Sequence, residues 1–307
     1  MPDPHLPAAA PAARPSPRQA WWFALRPKTL SVSVAPVLVG SALAWAESGA
    51  WLAWPAVLAL LAAMLIQIGT NLHNDVADFE RGADTPDRLG PPRATAMGWL
   101  PPAAVRRAAW AAFAAAFVLG VALVARGGWP IVVVGLCSLA AGWAYTGGPR
   151  PIAYTPFGEL FVLAFFGLAA VGGSYYLQTL SLSPAAVVAA LMLGAFAAAV
   201  ISVNNTRDLA TDARAGKRTL AVHLGRAGMD RVYRGELALP FLLLPLLAAL
   251  AGGGAALALA LLVAPGAWRL ARRFAGESSG AGFNALLAAT ARLQAGFAAL
   301  LSLALLL

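Results

Sequence analysis

The sequence predicts an all-α, polytopic membrane protein of about nine transmembrane helices surrounding a central cavity. Three observations predict it. Of 307 residues, 60% are hydrophobic and only 11% are charged, whereas soluble domains carry roughly 25% charged residues. The apolar residues fall in runs that reach the roughly 20 residues a membrane helix needs. The basic residues collect in alternate connections, the bias that orients membrane proteins. A net charge of +9 in a soluble chain would point to nucleic acid. Here the cations sit between apolar runs, so the expected partner is the lipid bilayer and not nucleic acid.

The elements follow in order. Residues 1–20 are rich in Pro and Ala with no apolar run, and are expected to form a disordered cytoplasmic tail. They do not read as a signal peptide, because the next apolar stretch is long and lacks a cleavage pattern. Residues 21–307 are expected to form one membrane-embedded domain. Spans are expected over 29–48, 51–72, 108–125, 129–147, 157–177, 184–204, 236–251, 253–271 and 286–307. Pro101 and Pro102 stand before the third, where a helix start tolerates proline. Only Gly252 to Gly254 separate the seventh from the eighth. Cys137 is the one cysteine, which excludes disulfides and a Cys-based metal site. Its apolar surroundings predict a place in the packed core.

With the N-terminus in the cytoplasm, 20 of the 22 Lys and Arg residues fall in cytoplasmic segments. Arg126 and Arg292 are the exceptions. The two long connections, 73–107 and 205–235, lie on that side, and long loops in compact proteins tend to be functional.

Seven of the 13 acidic residues fall in two short segments. Asp75, Asp78, Glu80, Asp84 and Asp87 follow the second span, and Asp208 and Asp212 follow the sixth. The segments share a pattern: Asn71, Asp75 and Asp78 in one, Asn204, Asp208 and Asp212 in the other. Helical positions three or four apart share a face, so each segment offers an Asn and two carboxylates one turn apart. Charged residues often cluster where helices meet water, but two matching faces exceed that expectation. Clustered carboxylates repel and call for a cation. Oxygen-only ligands fit Mg²⁺, which keeps open positions for phosphate oxygens. Lys28, Arg93, Arg150, Lys217 and Arg218 are predicted on the same face. Carboxylates, metal and cations together suit a diphosphate, although each cation also serves to orient the chain.

Asn74-Asp75-Val76-Ala77-Asp78 with Gly82-Ala83-Asp84-Thr85 resembles the first Asp-rich motif of the UbiA-type intramembrane prenyltransferases. Asn204-Asn205-Thr206-Arg207-Asp208-Leu209-Ala210-Thr211-Asp212, followed by Gly216-Lys217-Arg218-Thr219, resembles the second. Within that superfamily, Arg26-Pro27-Lys28-Thr29-Leu30, the Asp84 variant, Tyr145-Thr146-Gly147-Gly148-Pro149 and Gly158-Glu159-Leu160-Phe161-Val162 resemble the 1,4-dihydroxy-2-naphthoate polyprenyltransferases of menaquinone synthesis. The resemblance runs from about 26 to 230; the last third matches in hydropathy alone. Hydroxybenzoate-type members carry an Asp where this chain has Gly82.

The resemblance implies transfer of a polyprenyl group from polyprenyl diphosphate to an aromatic naphthoate acceptor, with loss of CO2, in a bacterial cell membrane and at its cytoplasmic face. It implies Mg²⁺ on Asp75, Asp78, Asp84, Asp208 and Asp212, with Asn71 and Asn204 supporting. Lys28, Arg93, Arg150, Lys217 and Arg218 are the implied diphosphate contacts. Tyr145 either steadies a cation or anchors the helix at the interface. Glu159, an acid just inside a span, is placed at the acceptor, its alternative being a helix N-terminus role. Another aromatic acceptor, such as 4-hydroxybenzoate, is the nearest alternative. A cation-coupled transporter is the alternative from a different class, though transporters bind near the bilayer midplane and these acids lie at helix ends.

Overall fold

The structure, a computed structural model, describes residues 14–307 apart from 50, 85–87 and 253. Asp87 of the first acidic cluster therefore lies outside the described residues. Among the described residues ten helices carry the fold: α1 (Pro17–Leu25), α2 (Ser31–Ser48), α3 (Ala53–Glu80), α4 (Pro102–Ala144), α5 (Gly158–Thr179), α6 (Pro184–Arg207), α7 (Leu209–Arg214), α8 (Leu220–Ala251), α9 (Ala255–Gly276, with 3-10 winding over Ala255–Val263) and α10 (Gly280–Leu306). Among the described residues there is no strand.

Eight of these are long and apolar enough to cross a membrane. One of them, α4, crosses twice. Its 43 residues would stretch roughly 65 Å if straight, about twice a hydrocarbon core of roughly 30 Å. Gly128 breaks the helical path at φ 63 and ψ −152, just before Pro130. A Cβ on Gly142 would stand 3.2 Å from the Phe113 ring, so residues far apart in sequence lie side by side. The helix is thus a hairpin, and the crossings number nine among the described residues.

Both faces of the bundle are pinned by hydrogen bonds. On the far face Gln178 of α5 donates to Leu52 O at 3.0 Å and accepts from Leu52 N at 2.7 Å. Arg126 donates to Leu177 O and Gln178 O, satisfying carbonyls left open at the end of α5. On the opposite face, Asn284 of α10 donates to Leu89 O at 3.1 Å.

Helix α6 is the axis, with 83% of its most apolar window buried. Lipid supplies no hydrophobic drive for helices to meet, so small residues that allow close packing matter. Gly167 of α5 and Gly194 of α6 do this. A Cβ on Gly167 would meet Ala190 O at 2.4 Å, and one on Gly194 would meet Leu163 O at 2.7 Å. Gly40 of α2 approaches Val171 O in the same way. Over Leu163–Gly172, α5 takes a π-helical winding, a form that recurs at functional sites.

Three expectations change. The tail does not run to residue 20: Ser16 and Gln19 form a capping box, Pro17 opens α1, and Ala20 and Ala24 are buried. The connection 205–235 is largely helical, because Met229, Tyr233 and Leu237 recur at helical spacing and are buried. Cys137 is exposed, since the second leg of α4 lies at the periphery.

Candidate active site

A cavity of about 970 Å³ enters the bundle from the face that carries the acidic motifs. Its inner walls are apolar, from Val32 and Val37 of α2, Ala62 and Ile66 of α3, both legs of α4, and Phe165 and Phe166 of α5. Its mouth is polar. Six cationic residues line it, Arg26, Lys28, Arg88, Arg93, Arg207 and Lys217, against three carboxylates, Asp78, Asp208 and Asp212.

The first motif reaches the mouth because α3 stays helical to Glu80. The stripe of α3 that lines the cavity runs through Gln67, Asn71, Asn74 and Asp78. Asp78 accepts from Arg93 at 3.0 Å and from the Tyr154 hydroxyl at 3.3 Å. Arg93 also donates to Asn74 Oδ1 at 3.1 Å. Asn71 donates to Leu25 O at 3.0 Å and accepts from Gln67, tying the end of α1 to α3.

Asp75 faces away from the cavity. Its carboxylate accepts from Ala94 N at 3.1 Å, from Thr95 N at 3.0 Å and from the Thr95 hydroxyl. It anchors the returning loop. Asp84 is also off the cavity wall: it accepts from Arg88 at 2.8 Å and stands 3.6 Å from Arg93 Nε. Burial raises its carboxyl to about 6, with Arg88 opposing the rise. Together Asp78, Asp84, Arg93 and the half-buried Arg88 form a ladder that ties the loop to the mouth.

The second motif bends but keeps its face. At Asp208 the chain leaves helical geometry, while Asp208 N still donates to Asn204 O and Asp212 N to Asp208 O. Asn204, Asp208 and Asp212 therefore all reach the cavity. Asp208 receives both Nε and Nη2 of Arg207, at 2.8 and 2.6 Å. Arg207 also donates to Asn204 and to Asn284. Lys217 Nζ stands 3.3 Å from Asp212 and 4.8 Å from the centre of the Tyr154 ring. Burial raises the Asp212 carboxyl above its ordinary value, with Lys217 opposing.

Lys28 and Tyr145 line the cavity. Glu159 sits behind it, buried, with Oε1 accepting from Asn205 at 2.9 Å. Asn205 itself reaches the cavity. Arg150 and Arg218 do not line it, and both are exposed. The backbone N–H of Arg218 donates to Tyr154 O, which fixes the loop and leaves its side chain in solvent.

Sequence reasoning did not single out Arg26, Arg88, Arg207, Asn74, Asn205, Asn284 or Tyr154 as site residues. Arg207 and Asn74 stand inside the motifs themselves, so their position was visible. Tyr154 and Asn284 arrive from distant segments and carry no local mark. Arg26 Nη2, Arg88 Nε and Arg93 Nη1 are buried without an acceptor among the described residues. Buried donors left unpaired are costly, and an anion at the mouth would satisfy them. The only hard donors at hand for a metal are oxygens. Each carboxylate there is now held by a cation, and among the described residues no three His, Cys, Asp or Glu converge to metal-binding distance.

The UbiA prenyltransferase family model matches residues 33–306. A Mycobacterium tuberculosis protein named 1,4-dihydroxy-2-naphthoate octaprenyltransferase is 41% identical over 219 residues, 71% of this chain and 74% of its own length. The solved structure of a UbiA homolog from Aeropyrum pernix K1 superposes with a TM-score of 0.65 at 16% identity, over 89% of this chain and 97% of its own. One from Archaeoglobus fulgidus, bound to DMAPP and Mg²⁺, gives 0.62 at 15% identity, over 92% and 99%. With an all-α membrane fold, a paired acidic mouth and a family match over nearly the whole bundle, this chain belongs to the UbiA prenyltransferase family.

Proposed function

We propose that this chain transfers a polyprenyl group from polyprenyl diphosphate to 1,4-dihydroxy-2-naphthoate, with loss of diphosphate and CO2. The observation that carries this reading is the mouth. Unpaired guanidinium donors of Arg26, Arg88 and Arg93 sit among carboxylates at the entrance of an apolar cavity. That is a site for a molecule with a diphosphate head and a hydrocarbon tail. The relative from M. tuberculosis names the naphthoate as acceptor.

Asp78, Asp208 and Asp212 are the proposed Mg²⁺ ligands, being the carboxylates that face the cavity. When bound, the metal supplies positive charge to the diphosphate oxygens as the allylic C–O bond weakens. Arg26, Arg88, Arg93 and Lys217 hold the same oxygens, and Lys28 guards the rim. Asp75 and Asp84 support the loop that carries Arg93. The apolar walls exclude water, which would otherwise capture the allylic cation. Asn205, steadied by Glu159, and Tyr145 border the space below the diphosphate and are assigned to the aromatic acceptor. There the ring carbon bearing the carboxylate forms the new C–C bond. The bond to CO2 then breaks, and its electron pair restores the aromatic ring.

Membranes containing the chain, given polyprenyl diphosphate and Mg²⁺, should convert dihydroxynaphthoate to a prenylated, decarboxylated product seen by mass spectrometry. Product with 4-hydroxybenzoate and none with the naphthoate would sink the acceptor assignment. Asp208→Asn should lower turnover by about 10²–10³-fold, the scale of losing an electrostatic contact to developing charge. Undiminished turnover would sink the metal assignment.

A further inference from the structure

Arg126 and Arg292 are the two cations that the charge bias leaves unexplained. The fold accounts for Arg126, which donates to the carbonyls at the end of α5. Arg292 has no such role. It is exposed on the outer face of α10 and, among the described residues, makes no hydrogen bond or ion pair. It stands eight residues past Asn284, which bonds Arg207 at the mouth. That is about 12 Å deeper along the helix. A cation facing lipid at such depth is costly unless it reaches back to the interface or finds an anion.

Helices α9 and α10 shape a groove around it. They run antiparallel: a Cβ on Gly266 would stand 3.3 Å from Leu293, and one on Gly296 3.5 Å from Val263. On α9, Leu262, Gly266, Arg269 and Arg273 follow one another at helical spacing, so they share the face beside α10. On α10, Ala285, Ala289, Arg292 and Gly296 repeat that spacing. All eight are exposed or half-buried. Long side chains lean toward the N-terminus of their own helix. Since α9 ends where α10 begins, Arg269 and Arg273 lean into the bilayer and Arg292 leans out toward the mouth face. The three guanidinium groups therefore converge over a floor of Gly266, Ala289 and Gly296. Arg269 donates from Nε to Pro265 O. Among the described residues the one ion pair of the three is Arg273 Nε with Glu277 Oε2, at 3.7 Å, and Glu277 Oε1 already accepts from the backbone of Ser278 and Ser279.

We propose that this groove binds an anionic phospholipid, its headgroup phosphate held by Arg269, Arg273 and Arg292 and an acyl chain lying past Gly296 and Leu262. Three cations against one carboxylate select an anion. The depth selects a lipid: a soluble anion has no route to Arg292 beneath the headgroups, whereas a phospholipid brings a phosphate at the interface and hydrocarbon below it. Clustered basic residues at the end of a membrane helix attract anionic lipid for the same reason.

The test titrates the full chain, purified in neutral detergent, with phosphatidylglycerol or phosphatidylcholine and counts bound lipid by native mass spectrometry. Phosphatidylglycerol should bind at least about fivefold more tightly, the scale of one cation at an anionic surface; equal affinities overturn the site. Arg292→Gln should weaken phosphatidylglycerol about fivefold, and Arg292→Lys should restore most of the loss. Arg231→Gln removes the same charge from an exposed position on α8, outside the groove, and should leave binding unchanged. Equal losses in Arg231→Gln and Arg292→Gln mean a diffuse surface attraction and overturn the site. A dimer in the spectra that Arg292→Gln dissolves assigns the face to a second copy and overturns the lipid. The unaltered chain supplies a further readout: phosphatidylglycerol with a diazirine on its headgroup should label α9 or α10 within 262–296, and label confined to other helices overturns the proposal. None of these readouts involves prenyl transfer.

Discussion

Asp75 and Asp78 stand three residues apart on α3, yet the fold gives them different work. Asp78 opens on the cavity, whereas Asp75 spends its oxygens on the backbone of Ala94 and Thr95. Asp75→Asn should lower stability by roughly 1–3 kcal/mol, as expected when buried donors lose a partner. The Mg²⁺ concentration for half-maximal turnover should stay in place. Asp78→Asn should raise that concentration, and a Mg²⁺ titration of both variants separates the roles. Asp84 has a pH signature. Its carboxyl is raised from 3.8 to about 6, so the folded chain holds that proton more tightly than the unfolded chain does. Its contribution to stability is full below pH about 4 and is lost as pH rises through about 6. Asp84→Asn should flatten the change in thermal stability between those values, and an unaltered profile would contradict the assignment. The sequence made both motifs and most of their carboxylates legible. It did not distinguish Asn71, Asp75 and Asp78 from Asn71, Asn74 and Asp78, because both sets obey the three-and-four spacing of a helix face. Only packing against the loop at 94–95 decides which face turns inward. Tyr154 and Asn284 were illegible for a related reason: they meet the site through tertiary contacts between segments far apart in sequence.

At the scale of elements, hydropathy located the spans well because lipid demands continuous apolar helices. It missed where helices continue beyond the apolar run. Helix α8 starts at Leu220, breaks at Gly225 (φ 63, ψ −177), and resumes with polar residues alternating with the buried stripe through Met229 and Tyr233. The tail was misjudged at 17–20 because Pro and Ala dominate the composition, while the capping residues Ser16 and Gln19 settle the local structure. The turn in α4 was expected from the break near 126–128, and the fold shows how it is made. Gly128 adopts a region that is nearly exclusive to glycine. Gly128→Ala should cost about 1–3 kcal/mol through backbone strain alone. Gly167→Ala should cost a similar amount by overpacking against Ala190 O. Gly235→Ala on α8, where a Cβ meets nothing, should be neutral or stabilising by about 0.5–1 kcal/mol. Thermal unfolding in detergent would rank the three, and equal losses would contradict the packing argument.

At the scale of the molecule, we propose that nine crossings among the described residues, an odd number, leave the two ends of the bundle on opposite sides of the bilayer. We propose that the N-terminus and the active-site mouth face the cytoplasm, on the strength of the basic residues gathered there. The two faces differ in relief. On the mouth side the chain makes the 81–101 loop, the turn after Tyr145 and the 215–219 connection. On the other side the links are short: 49–52, the Gly128 turn, 180–183 and 252–254. Protease added to inside-out vesicles should cut within 81–101, while right-side-out vesicles should leave the chain whole; the reverse pattern would invert the topology. The same asymmetry bears on pharmacology. Gln178 and Arg126 tie the links of the trimmed side together, and the polar mouth of the cavity lies on the other side. With the mouth on the cytoplasmic side as proposed, a compound arriving from outside the cell meets the trimmed side and reaches the mouth only by first dissolving in the membrane. Inhibitor potency on whole cells should therefore track lipid partitioning more closely than affinity for the purified protein.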